Sequence, residues 1–277
     1  MASGLVDFQG GTPSDAYDRL VTDLLAEYDA HLRTAAEVQG AVDVRRRGPL
    51  WIALFDRGRL FVTYQQLDDP AGRVAEVAAL ISDDDSIQQV EWKTRTHDRA
   101  PGLEAALDCA GFTAGEPESV MLGEASTLIG SEPPTGVTLR RLTVPEEMRA
   151  ALDMQDAVFG GTPRAQRMLR EILTRQSNGE NVELWAAETN GRIVSAGRID
   201  PIAGTAFAGI WGGATLTPYR GRGIYRALTA ARVRSAMSHG ARWIHSDSTE
   251  FSRPILERAG LMRITGTVPW TWQRPAR

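Results

Sequence analysis

The chain is short of two residue types with distinctive chemistry, cysteine and lysine. A single cysteine, Cys109, stands in 277 residues. That excludes an internal disulfide and any cysteine metal cluster, and it suits a reducing compartment. Only four histidines occur, scattered without metal-ligand spacing, so no metal is expected. Lys93 is the only lysine, every other basic residue being arginine; a GC-rich coding sequence accounts for that bias. No apolar run approaches the roughly 18 residues that a membrane span needs. The opening Met1-Ala-Ser-Gly-Leu-Val-Asp7 is acidic and lacks a basic-then-apolar leader, so a cytoplasmic location and no membrane partner are expected.

What is present describes an ordinary globular protein, 42% hydrophobic and 24% charged. The length suits two domains of about 100–150 residues each, or one large one. The net charge of −4 conceals an asymmetry: residues 1–134 hold 11 Lys+Arg against 23 Asp+Glu, and residues 135–277 hold 20 against 12. The change of sign falls at Gly130-Ser-Glu-Pro-Pro-Thr-Gly136, a linker-like run. Domains at 1–130 and 137–277 are therefore expected. The basic second half suits a compact polyanion, whereas the acidic first half would repel a long one, which argues against nucleic acid.

The most specific local pattern lies at 206–239. An apolar run from Ala206 to Leu216 stops at Pro218, which cannot donate to a strand ladder. Arg220-Gly221-Arg222-Gly223 follows, and apolar residues then recur at Ile224, Ala227, Leu228 and Ala231, one face of a helix. A strand, a glycine-rich loop and a helix in that order aim backbone N–H groups and a positive helix end at an anion. Two glycines let the backbone approach a phosphate, and Arg220, Arg222 and Arg226 add charge. No Lys-Ser/Thr pair closes a Walker loop, and Arg226 stands where the dinucleotide fingerprint needs its third glycine.

Around this unit, Val137–Leu142 reads as a strand, Pro145 to about Val158 as a helix, and Pro163 to about Gln176 as another after the break at Phe159–Thr162. Val182–Ala187 and Arg192–Ile199 form a hairpin through Thr189-Asn190-Gly191. Arg242–Ser246 is a strand, Ser252–Ala259 a helix stopped by Gly260, and residues 261–273 supply the last strands. In the first half, 14–38 reads as an amphipathic helix with Leu20, Leu24, Tyr28 and Leu32 on its buried stripe. A hairpin turns at Asp56-Arg-Gly58, helices occupy Ala71–Ile81 and Ala100–Ala110, and a strand lies at Val90–Thr94. Cys109-Ala-Gly-Phe112 repeats the pattern of Arg258-Ala-Gly-Leu261.

The motif Arg220-Gly221-Arg222-Gly223-Ile224-Tyr225 resembles the central Arg/Gln-x-x-Gly-x-Gly/Ala of the GNAT N-acetyltransferase superfamily, and Ser252–Leu261 resembles its later helix ending in Gly-Phe. Tyr225 departs from the pattern, standing where glycine or alanine is usual. The resemblance implies an α/β (α+β) protein of two GNAT-like domains, each a twisted, mixed, mostly antiparallel sheet flanked by helices. The first copy lacks the pyrophosphate loop and reads as a scaffold or packing partner, the alternative being that it walls off part of the acceptor pocket. By the same resemblance, acetyl-CoA is the co-substrate, Ala214, Thr215 and Leu216 pair with its pantetheine arm, and residues 220–226 hold its pyrophosphate. A small-molecule amine is the implied acceptor, and a monomer or homodimer the implied assembly. The tyrosine that many members use to protonate the leaving thiolate is Leu256 here, and no glutamate lies between Thr205 and Leu216. Asp247, placed just past its strand, is the candidate base, with Glu250, Tyr219 and Tyr225 as other proton-handling candidates. His245 reads as a packed or surface histidine, and Trp211 as a packing residue of its strand, with the lining of the acceptor pocket as the other reading. The missing groups leave a catalytically silent acyl-CoA-binding sensor as the alternative.

Overall fold

The computed structural model describes residues 13–161 and 164–275. The opening heptapeptide and the expected helix start at Pro163 lie outside the described residues. Among the described residues, seven helices flank one twisted, mixed sheet of twelve strands. In the first half come α1 (Pro13–His31), β1 (Asp43–Arg47), β2 (Leu50–Phe55), β3 (Arg59–Thr63), α2 (Pro70–Asp83), β4 (Gln89–Arg95), α3 (Leu103–Cys109), the short β5 (Thr113–Ala114) and β6 (Glu118–Glu124). The second half supplies β7 (Thr138–Leu142), α4 (Pro145–Phe159), α5 (Ala165–Ser177), β8 (Glu183–Thr189), β9 (Arg192–Pro201), β10 (Phe207–Thr215), α6 (Ile224–Ser238), β11 (Trp243–Ser248), α7 (Arg253–Ala259) and β12 (Met262–Gln273).

Several local expectations need correction. The helix expected to run to residue 38 ends at His31, and a separate 3-10 turn covers Ala35–Val38. Leu24, Tyr28 and Leu32 are buried under it, but Leu20 is 48% exposed, because the sheet extends only beneath the second half of α1. Residues 262–273 form one long strand with an irregularity between Arg263 and Thr265, rather than two strands. Asp247 lies inside β11 and not past its end.

The strand order β1-β2-β3-β4-β12-β6-β11-β10-β9-β8-β7 shows how the halves are joined. The last long strand of the first half, β6, pairs antiparallel with β11 of the second, Asp247 facing Val120. The last strand of the chain, β12, pairs with β4 of the first half, Trp270 facing Trp92. Each half thus gives its final strand to the other, and β6 and β12 meet at the seam. Helices α2, α3, α6 and α7 cover one face of the sheet. Helices α1, α4 and α5 cover the opposite face. Burying both faces explains why Val90, Trp92, Val120, Met121 and Leu122 are fully inaccessible.

Candidate functional site

The neighbours β10 and β11 run parallel and pair only from Phe207↔Trp243 to Gly209↔His245. Beyond that point β10 continues to Thr215 and β11 to Ser248 without pairing, so the two strands part. A bulge between Trp211 and Ala214 drives the divergence, since Gly212 adopts φ +61°, a conformation other residues rarely take. The bulge is held from the face that carries α4, where Gln155 Nε2 donates to the Gly212 carbonyl at 2.6 Å. On its other edge β10 stays paired to β9, Ala214 with Ala196 and Thr215 with Ser195, and Ser195 Oγ donates to the Ala214 carbonyl at 2.7 Å. Ala214 and Thr215 therefore line one wall of an open wedge in the sheet. Leu216 N–H is committed to Val194 O at 2.9 Å, on the β9 side.

The loop Arg220–Gly223 closes the wedge at the start of α6. Gly221 and Gly223 have φ of +72° and +79°, which turns successive peptide groups outward. Among the described residues, no N–H group of Gly221–Arg226 donates to a protein acceptor; the helix ladder begins with Ala227 N–H to Gly223 O at 3.0 Å. A Cβ built on Gly221 meets nothing within 4 Å, so the cradle is open on that side. The arginines divide their roles. Arg220 turns back to donate from Nε to Thr215 O at 3.0 Å, bracing the strand end. Arg222 lies 5.5 Å from the Tyr219 ring centroid, which fixes the arm of the loop. Charge is thus spread around a set of free amides rather than aimed at one point.

Tyr225 finds its room against β10. A Cβ added to Gly213 would stand 2.5 Å from Tyr225 Cε2 and 2.7 Å from its hydroxyl, so the glycine in the bulge is what admits the ring. The bulky residue at this place in the motif therefore leaves the amide cradle open.

Corresponding features in the first half are closed. Asp69 caps α2 with its own carboxylate, accepting from Gly72 N–H at 3.0 Å, and Pro70 has no N–H to offer. Gln66 and Arg99 bridge beyond the β3–β4 pairing, and Leu67 N–H donates to Arg99 O at 2.8 Å, so these strands rejoin instead of opening.

On the α1 face a charged cluster spans both halves. Lys93 of β4 forms an ion pair with Asp247 of β11. Arg95 pairs with Glu37 and donates to Thr63 Oγ1 at 3.1 Å and to the Tyr28 hydroxyl at 3.3 Å. Burial pushes the Asp247 carboxyl up, but Lys93 and then Arg95 pull it further down, so it stays below its ordinary value. Burial depresses His245 to about 4, leaving a neutral ring. Trp211 packs edge-on against that ring, 5.3 Å between centroids. Two buried atoms here, Asp247 Oδ1 and His245 Nε2, have no hydrogen-bond partner among the described residues. Glu250, the other carboxylate candidate, is an exposed helix-start residue paired with Arg253 at 2.9 Å.

Sequence reasoning missed Lys93, Arg95 and Glu37. A single lysine among so many arginines was the available signal. Among the described residues no group of three or more His, Cys, Asp or Glu is arranged to hold a metal ion, and no helix is long and apolar enough to cross a membrane.

A strand that parts from its parallel neighbour, a bulge, and a glycine-bent loop with free amides on a helix N-terminus together form an open cradle on an α/β sheet. Residues 148–260 match the Acetyltransferase (GNAT) family, and this segment is a GNAT domain. A GCN5-related N-acetyltransferase from Kribbella flavida superimposes with a TM-score of 0.65 over 87% of this chain and 94% of its own, at 19% identity. A tandem GNAT protein from the clavulanic acid biosynthesis pathway covers 96% of this chain and 97% of its own, with a TM-score of 0.61 and 13% identity. A functionally unknown conserved protein from Staphylococcus epidermidis gives 0.65 at 14% identity, over 86% and 96%. No curated protein sequence matches the chain. The architecture is that of two GNAT-like domains, and the family supports acyl transfer in general.

Proposed function

We propose that the protein is an acetyl-CoA-dependent N-acetyltransferase that transfers an acetyl group directly to the amine of a small molecule. The second half, residues 137–277, binds the co-substrate, and the first half, residues 1–130, is a degenerate copy. One observation carries this reading: the N–H groups of Gly221–Arg226 have no protein acceptor among the described residues and sit at a helix N-terminus beside an open wedge of sheet. Those amides suit a diphosphate, and the free edge of Ala214 and Thr215 suits an extended amide-bearing arm. Acetyl-CoA supplies the activated thioester. The protein contributes position, a carbonyl-polarising amide at the wedge and proton handling.

Asp247 is the acceptor-side group. Lys93 keeps it anionic, and its unpartnered Oδ1 is available to accept a hydrogen bond from an incoming amine. The Trp211 ring provides an apolar wall above His245. Calorimetry with acetyl-CoA should show one site per chain, and thiol release should be seen with members of a panel of small amines. Absence of acetyl-CoA binding would sink the proposal.

The alternative, a silent acyl-CoA-binding sensor, draws on the same Lys93–Asp247 pair, because a neutralised carboxylate with a depressed pKa is a weak base. Tight binding with no turnover across the panel would favour it.

A further inference from the structure

A cavity of about 140 Å³ lies at the β1 edge of the sheet, far from the wedge between β10 and β11. It forms where α2 ends at Asp83 and the chain turns back through Asp84–Gln88 towards β4. Its floor is made by Ile52, Leu54, Leu60, Leu80 and Ile87. Leu54 and Leu80 pack on the core of the first half but are only partly covered. The corner is firmly held. Ser86 N–H donates to Asp84 Oδ1 at 2.8 Å, and Gln88 N–H donates to Gly58 O at 2.8 Å. Gly58 approaches so closely that an added Cβ would stand 1.8 Å from Ser86 O. The cavity is therefore preformed.

The rim breaks the alternation expected of a sheet. Asp43, Arg45 and Arg47 of β1 pair with Leu54, Ile52 and Leu50 of β2, so three charged residues stand on the face where β2 is apolar. Val44 points to the other face and is 39% exposed. Arg45 gives only its Nε to Asp43, at 2.7 Å, and Arg47 reaches Glu76 at 3.4 Å through Nη1 alone. On the α2 side stand Asp83 and Asp84, at a helix C-terminus, where the dipole disfavours anions. The Asp83 carboxylate has no partner among the described residues. Charges on an edge strand deter pairing with another chain, but that role needs no carboxylates beside an apolar floor.

We propose that this cavity binds a free α-amino acid with a branched aliphatic or phenyl side chain. An apolar floor with guanidinium groups on the β1 side and carboxylates on the α2 side matches a zwitterion with an apolar tail. The side chain fills the cavity, whose volume is close to that of an engineered apolar cavity of about 150 Å³ that takes benzene. The α-carboxylate meets Arg45 and Arg47, and the α-ammonium meets Asp83 and Asp84. The first half, which offers no free amide cradle, thereby has a ligand of its own. No step of acetyl transfer depends on this site.

Calorimetry on the full chain, with leucine as the probe, should show one site per chain in the millimolar range or tighter. Alanine should bind at least about tenfold more weakly, because its methyl leaves most of the cavity empty. Leu80→Trp fills the cavity and should abolish leucine binding while acetyl-CoA affinity stays unchanged, which also shows that the variant is folded. Two variants at exposed positions test the rim. Arg45→Gln should weaken leucine by up to about fivefold and leave isoamylamine, which lacks the carboxylate, unaffected. Asp83→Asn should weaken leucine to a similar degree and leave isocaproate, which lacks the ammonium, unaffected. Leucine carries an amine, so the acceptor side is the competing location. Leucine binding that survives Leu80→Trp, or that is absent from wild type at millimolar concentrations, overturns the assignment. Equal affinity for leucine, isoamylamine and isocaproate overturns it as well. Acetyl-CoA binding decides the acetyl-transfer reading separately, because the two ligands occupy different halves.

Discussion

The buried charges at the seam can be judged one residue at a time. His245 is 9% exposed and its ring is held to about 4 by burial. An unfolded histidine titrates near 6.5, so as pH falls the unfolded chain takes up this proton first. The stabilisation from the neutral ring is complete above that pH and drains as the pH drops towards about 4. It amounts to roughly 1.4 kcal/mol per unit, or about 3 kcal/mol in all. Burial raises the Asp98 and Glu118 carboxyls, which act in the opposite direction as the pH falls. The contribution of His245 is therefore read as the difference in denaturant stability between wild type and His245→Asn. That difference should shrink steadily from pH 7 to pH 4; a constant offset would show that the ring is not buried and neutral. Lys93 permits a separate test. Replacing it with methionine strands a carboxylate that is only 10% exposed, which should cost about 3–5 kcal/mol. The double variant with Asp247→Asn should recover a large part of the loss, because the stranded charge is then gone.

At the scale of elements, the two helix N-termini that follow parallel strands make a natural control pair. The α2 terminus is spent on Asp69, and the α6 terminus is free. Asp69→Ala should cost about 1 kcal/mol of stability as a lost cap and leave acetyl-CoA affinity untouched. Gly221→Ala should weaken acetyl-CoA binding about tenfold, because its positive φ strains an alanine by about 1–2 kcal/mol and a new methyl intrudes on the cradle. Equal losses of affinity in both variants would dissolve the distinction between the halves. The same contrast explains what could be read from sequence. The β10–loop–α6 unit is local, so apolar spacing, proline and glycines disclosed it, with boundaries within a few residues. Strand β1, Asp-Val-Arg-Arg-Arg, was not legible because it is an edge strand with charged side chains and a single apolar residue. Strand β6 was missed because its short apolar core gains strand character only by pairing with β11 and β12, far along the chain. The Lys93–Asp247 pair links positions 154 apart, and no local pattern announces it. Fold class was therefore legible, as was the loop. The seam with its buried charges was not.

For the whole molecule, the exchanged final strands decide whether the halves can stand alone. Without β12, the first half keeps β4 as a sheet edge with Val90 and Trp92, which are fully buried in the intact chain, newly exposed. Without the first half, β11 loses its partner β6 along Trp243–Ser248, and β12 loses β4, β5 and β6, the strands it pairs with. Long unpaired apolar edges invite association, and the area involved is part of the central core. The chain is accordingly one cooperative unit despite its two-fold internal pattern, and it should unfold in a single transition by far-ultraviolet dichroism and by tryptophan fluorescence. Residues 1–130 and 137–277 expressed separately should each aggregate or form strand-exchanged oligomers by sedimentation. Their co-expression should restore a soluble heterodimer with the acetyl-CoA affinity of the intact chain. A monomeric 137–277 fragment that binds acetyl-CoA normally would show instead that β12 can fold back beside β11, and that the exchange of strands is dispensable for the site.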